Sequence, residues 1–197
     1  MTFDMFTRAG LAALAVFAFT TLAKADGEID KLMTAGDKAR LAGFDKVRAE
    51  AITEAKKGGA PNDVKTLDTI LAGKPLSFSG TFDMTGNWQC RTIKLGGRPA
   101  LTIYGWFKCR VTDDGSGWRL EKLTGSQRTS GAFYTDSDTR LTYLGAGHYS
   151  DEKPRRYRAD ADRDEVAYAV RAGDKRIRLE FPSPKYESKF DIIELRR

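Results

Sequence analysis

The 197-residue chain carries 33 lysines and arginines against 27 aspartates and glutamates, a net charge of +6, with one histidine and two cysteines. Acids interleave with bases almost everywhere, which excludes a nucleic-acid-binding signature, and so few Cys and His exclude a Cys/His metal cluster. No apolar run approaches the roughly 20 residues that a membrane-spanning helix needs.

Met1 to Gly10 is a short leader with one basic residue, Arg8, and Leu11 to Ala23 is almost wholly apolar. Ala23-Lys24-Ala25 then supplies small residues at the −3 and −1 positions of a signal-peptidase site. Residues 1–25 therefore read as a cleaved secretory signal, which places the mature protein, from Asp26, in the periplasm or outside the cell. No cysteine follows the cleavage site, which argues against a lipid anchor. Cleavage leaves 172 residues (197 less 25), enough for one domain with its own core. Residues 26–75 carry nine bases and nine acids. The excess sits entirely in residues 76–197, with 22 bases against 17 acids. That modest positive field suits an anionic ligand or an acidic protein surface.

Residues 26–75 are expected to form a helical segment packed on the β domain that begins at Leu76. Ile29, Leu32, Met33, Leu41, Phe44, Val47, Ala51 and Ile52 recur mostly at three- and four-residue steps, with Lys and Glu between them. Thr34 followed by Asp37 marks a helix start. Gly58-Gly59 stops a helix, Ala60-Pro61 opens another, and Gly73-Lys74-Pro75 ends it.

From Leu76 the period changes to two, and residues 76–197 read as an antiparallel β domain. Strands are expected at 77–84, 87–95, 102–111, 118–124, 127–134, 139–145, 164–171, 175–181 and 189–195. With the helices this gives an α+β fold whose eight or nine strands form a barrel or a sandwich. A two-residue Gly173-Asp174 turn would set Val170 opposite Ile177, Tyr168 opposite Leu179 and Val166 opposite Phe181, an apolar face throughout.

Cys90 and Cys109 form an even pair in an exported chain and read as a disulfide. A redox pair would call for C-x-x-C spacing, and a metal would need more ligands than two sulfurs and His148. If the two cysteines face each other on neighbouring strands, Trp88 opposes Val111 and Thr92 opposes Phe107, on a core-facing side. The reverse face then sets Gln89 against Arg110, Arg91 against Lys108, Ile93 against Trp106 and Leu95 against Tyr104. Between Gly86 and Arg110 stand five bases (Arg91, Lys94, Arg98, Lys108 and Arg110) and no acid. Cations beside aromatics hold carboxylates, sulfates or phosphates, so Arg91, Lys94, Trp106, Lys108 and Arg110 are candidate binding residues. The plainer alternative is a solvated basic face.

Lys122 to Gly131 is polar, glycine-broken and acid-free, and Gln127 and Arg128 join the candidates, with tight-turn chemistry as the alternative. His148 falls in a long connection and is expected to be an exposed loop residue, since no G-x-S-x-G elbow or orienting acid accompanies it. Asp160, Asp162, Asp164 and Glu165 lack the glycine and terminal glutamate of a calcium loop, and Arg163 interrupts them. No catalytic set, cofactor motif or metal site is read. The function expected is a non-enzymatic binding or inhibitory module with a basic surface. A hydrolase-like enzyme acting on an envelope component, using Ser126, Arg128 and His148, is the alternative. Composition leaves the oligomeric state open.

Four strings carry a resemblance: Cys90-Arg-Thr-Ile-Lys-Leu-Gly96, Trp106-Phe-Lys-Cys-Arg110, Lys122-Leu-Thr-Gly-Ser-Gln-Arg128 and Glu187-Ser-Lys-Phe-Asp-Ile-Ile-Glu-Leu195. They resemble a family of exported alphaproteobacterial proteins, domain of unknown function family 4893, from near Arg40 to Leu195. The resemblance implies export and a shared cysteine pair, and it carries over no activity, cofactor or site residue. Gly86-Asn87-Trp88 is also similar to the G-x-W opening of calycin-type barrels, which include secreted metalloprotease inhibitors. The helical stretch ahead of it here departs from their short trunk.

Overall fold

The computed structural model describes residues 26–197; the leader, with the secretory signal read from it, lies outside the described residues. Four helices come first: α1 (Asp26–Leu32), α2 (Ala35–Ala42), α3 (Phe44–Gly58) and α4 (Pro61–Leu71). Thr34 caps α2, its hydroxyl accepting the Asp37 amide at 3.1 Å, and Pro61 sits in the first turn of α4, where a missing N–H costs nothing.

Nine strands come after the helices: β1 (Gly86–Gly97), β2 (Leu101–Ile103), β3 (Phe107–Asp113), β4 (Trp118–Lys122), β5 (Gln127–Ser137), β6 (Arg140–Tyr149), β7 (Asp164–Gly173), β8 (Arg176–Pro182) and β9 (Ser188–Arg196). Neighbours from β3 to β9 pair antiparallel in sequence order, and β1 pairs with both β3 and β9. The sheet therefore closes on itself as an eight-stranded barrel and is not a sandwich. The ninth strand, β2, pairs with Ile93–Leu95 on the far half of β1.

Both faces of the wall are used. Inside, Trp88, Val111, Leu120, Phe133, Tyr143, Leu179 and Leu195 fill the barrel core. Outside, Ile93, Leu95, Leu101, Phe190 and Ile192 pack against Ala51, Ala55, Leu67 and Ile70 of α3 and α4. Ile29 and Leu41 cover Leu144 and Val166. Under the helices the outer wall also carries a buried ionic row: Glu180 is bonded by Arg48 at 2.6 Å and by Arg178, whose Nη1 donates to the Ile70 carbonyl at 2.7 Å. Glu194 holds Arg91 at 2.8 Å and Arg176 at 3.0 Å.

The structure corrects several expected elements. Residues 77–84 form no strand: Leu76 makes an isolated bridge to Arg171, and Phe78, Phe82 and Met84 plug one end of the barrel against Trp118 and the inner core. The stretch 102–111 is two strands, interrupted at Tyr104–Trp106. The register of β3 differs by two residues from the expected one, so Cys90 pairs with Phe107 and Trp88 with Cys109. Gln89 faces Lys108, Asn87 faces Arg110, and Ile93 and Leu95 face Ile103 and Leu101, not Trp106 and Tyr104. A slip of two keeps every side chain on its face, so the cysteines both point inward and form a disulfide with Cα atoms 5.8 Å apart. Closing 19 residues of chain contributes about 3 kcal/mol in the chain-entropy model.

The β7–β8 hairpin is shifted by one. An irregularity between Arg171 and Gly173 sets Ala169 opposite Leu179 and Tyr168 opposite Glu180. Small Ala167 and Ala169 therefore face the crowded interior, while Val166 and Tyr168 face outward, Tyr168 stacking edge-on with Phe44 at 4.9 Å. With a helix layer outside, both faces of β7 are apolar, so an apolar row on that strand does not define the register.

Candidate functional site

The end of the barrel opposite the Phe78–Met84 plug opens into a cavity of about 270 Å³. Its wall is built by rows of inward side chains that are apolar near the plug and become ionic at the mouth. Trp118 and Leu120 lead to Lys122 on β4, and Ala169 and Ala167 lead to Glu165 on β7. On β9 Leu195 and Ile193 lead to Asp191, and on β1 Trp88, Cys90 and Thr92 lead to Lys94. Phe107 and Phe181 supply apolar wall between them.

Lys122 is 7 % exposed. Its Nζ donates to the Gln127 carbonyl at 2.8 Å and stands 4.5 Å from the Phe107 ring centroid. Among the described residues no carboxylate lies within ion-pair distance of it, and burial pulls the ammonium down to about 8, with Glu165 opposing the shift. Glu165 is enclosed by the wall yet keeps contact with solvent through the cavity. Burial pushes its carboxyl up to about 7, against the Thr129 hydroxyl that donates to it. Thr129 also shares a 2.7 Å hydrogen bond with the buried Tyr143. Burial likewise pushes Asp191 up to about 6 although Lys94 lies 3.7 Å away. Lys94 is paired more closely with Glu187, at 2.7 Å.

These shifts set a pH dependence with two limbs. Glu165 and Asp191 hold protons more tightly folded than unfolded. Their contribution is complete below their ordinary values of 4.5 and 3.8 and is lost as pH rises through about 7 and about 6. Lys122 has the opposite sign: its contribution is complete above 10.5 and is lost as pH falls through about 8. Urea midpoints between pH 4.5 and 7 are expected to fall in the wild type and to fall less in Glu165→Gln. Equal slopes in the two proteins would show that Glu165 titrates as an ordinary surface carboxyl.

Three candidates read from sequence, Lys94, Gln127 and Arg128, meet at this cavity. Arg128 sits on its rim, its Nε donating to the Gly125 carbonyl at 3.0 Å. The other four lie on the outer wall. Arg91 is tied to Glu194, and the Trp106 ring takes the guanidinium groups of Arg91 and Arg196, 4.5 Å and 3.8 Å from its centroid. Arg91 and Lys94, in a stretch that is acid-free along the chain, thus find carboxylates on β9. Lys108 is exposed, and Arg110 lines a separate shallow cleft with Arg119, Arg155 and Arg156.

His148 is not a loop residue. β5 and β6 pair as far as Gln127 with Tyr149, so His148 lies in β6 opposite Arg128 at 3 % exposure. Burial lowers its affinity for a proton, and its Nδ1 has no hydrogen-bond partner. It lines the cavity with Ser126, but no hydrogen bond joins its ring to Ser126 or Ser150 among the described residues. The acidic run disperses: Asp160 pairs with Arg155, Asp162 with Lys185, and Glu165 turns inward. Among the described residues no group of three or more His, Cys, Asp or Glu side chains is placed to hold a metal.

Lys122, Glu165 and Asp191 are absent from the sequence-derived candidates. The readable signal for them is a charge occupying the next inward position of an otherwise apolar period-two row. That signal needs the register, which only the closed sheet supplies.

Among the described residues no helix is long and apolar enough to cross a membrane. Neither the curated proteins nor the solved structures contain a significant match to the chain. The model of a family described as a domain of unknown function, DUF4893, matches residues 30–195, and the chain belongs to that family.

Proposed function

We propose that this is an exported, non-enzymatic binding module whose ligand is a small anion-bearing molecule held in the barrel mouth. Lys122 carries the reading. An ammonium has three protons to donate and here has one protein acceptor, in a wall that desolvates it. A ligand carboxylate, sulfate or phosphate would supply the missing countercharge. Export rests on the leader and is supported by the Cys90–Cys109 disulfide, since such bonds persist in oxidising compartments.

The test is to incubate oxidised protein with envelope extract, repurify it, denature it and examine the released small molecules by negative-ion mass spectrometry. The wild type is expected to release an anion that Lys122→Met does not carry. The same anion at the same level from both proteins, or none from either, would defeat the proposal. The variant should fold normally, because it replaces a desolvated charge by an apolar chain of similar length.

One observation favours a second reading, a hydrolase-like enzyme acting on an envelope component. Glu165 stays protonated into the neutral range inside a solvent-reached cavity, which suits a general acid. Turnover of an envelope polymer that disappears in Glu165→Gln would move this reading ahead of simple binding.

A further inference from the structure

Five large apolar or aromatic side chains stand exposed among the described residues: Leu32, Leu76, Tyr104, Tyr149 and Tyr186. All three tyrosines line the cavity at the barrel mouth. They are 41 %, 45 % and 63 % exposed and come from three separate places: the break between β2 and β3, the end of β6, and the β8–β9 connection. Singly exposed aromatics are ordinary on a protein surface, but convergence of three on one mouth is not. Tyr149 is further held by the Arg163 guanidinium, 4.6 Å from its ring centroid.

From this collar we infer that the ligand is an acidic saccharide, its terminal sugar acid inside the barrel and its following rings stacked on Tyr104, Tyr149 and Tyr186. The inference rests on the proposal that the cavity binds an anion at Lys122, and it adds the ligand's class. The chemistry of the wall decides between anionic classes. A fatty acid wants an apolar interior, whereas this one carries Lys94, Lys122, Glu165 and Asp191. A small aliphatic carboxylate would leave the tyrosines without a role. A sugar acid uses every kind of group present. Its carboxylate meets Lys122, its hydroxyls meet Glu165, Thr129 and Gln127, its C–H faces lie against Phe107 and Phe181, and only the rings that follow it reach the collar. At about 270 Å³ the cavity falls just below the usual range for small-molecule pockets, so it takes a ligand's end and leaves the remainder at the collar.

The test is calorimetric titration of the oxidised mature protein at neutral pH with galacturonate, trigalacturonate and neutral maltotriose. Trigalacturonate is expected to bind at least tenfold tighter than either of the others. Tyr149→Ala and Tyr186→Ala, both at exposed positions, should each weaken the trimer severalfold and leave the monomer unchanged. Lys122→Met should abolish both acidic sugars. Failure of either uronate to bind, equal binding of trimer and monomer, or equal binding of maltotriose would overturn the saccharide assignment. Any of these, with a Lys122-dependent anion still released after envelope incubation, leaves the cavity as an anion site for another class. Uronate binding unaffected by Lys122→Met would instead overturn the anion-site reading itself.

Discussion

Glu180→Ala is expected to lower the free energy of unfolding by about 3–5 kcal/mol, because it strands a buried cation. Glu180 is 4 % exposed, beneath the helix layer on the outer wall of the barrel. It accepts from Arg48 at 2.6 Å and from Arg178, itself buried. Without the carboxylate, Arg178 keeps its bond to the Ile70 carbonyl but loses its countercharge, and α3 loses its tie through Arg48. Replacing both buried partners with apolar residues, as in Arg178→Met with Glu180→Leu, should recover most of the loss. A buried pair costs more to break than to replace. Arg140→Ala supplies the contrast: its bond to Asp136 lies at the surface and is expected to matter by less than about 1 kcal/mol. Urea unfolding of the four proteins reads these differences directly. A Glu180→Ala midpoint close to that of Arg140→Ala would mean that water reaches the row and that the helices are docked by apolar contact alone.

Gly145→Ala is expected to destabilise by about 3 kcal/mol, at the upper end of overpacking costs. Gly145 and Gly131 face each other across β5 and β6, and the Tyr143 ring lies in the space they leave. A Cβ on Gly145 would collide with the Tyr143 hydroxyl, come within 2.5 Å of its Cζ and within 2.7 Å of the Ser130 carbonyl oxygen. The ring cannot step aside easily, since Tyr143 is fully buried, bonded to Thr129 and packed against Phe133 and Phe181. Gly105→Ala is the matched control, with nothing within 4 Å of its added carbon. Tyr143→Leu should destabilise on its own, yet cost less in the Gly145→Ala background than in the wild type. That non-additivity is the signature of a shared space. Additive losses would show that the backbone at Ser130, not the ring, takes up the strain.

The helices, the β-rich remainder and the cysteine pair are legible along the chain. Each is encoded locally or by composition: apolar steps of three and four, period-two alternation, Gly and Pro punctuation, and an even count of cysteines. The inward face of both cysteines was also legible, because a register slip of two residues preserves facing even when the partners are wrong. Residues 77–84 have the alternation of a strand in Phe78, Phe82 and Met84, yet these side chains serve as an end plug. The β7–β8 register is not legible locally, because the helices bury the outer wall and Val166 and Tyr168 are as apolar as an inward row.

The candidate site is set by tertiary closure. Pairing β1 with β9 brings Glu194 to Arg91 and Asp191 near Lys94, so two of the hairpin's five bases have acidic neighbours that the local sequence does not show. The same closure sets Lys122 and Glu165 in one cavity although 43 residues separate them. Ionic compensation and cavity lining are properties of distance in space. Local sequence specifies which face a side chain takes, and only the closed barrel specifies what stands across from it.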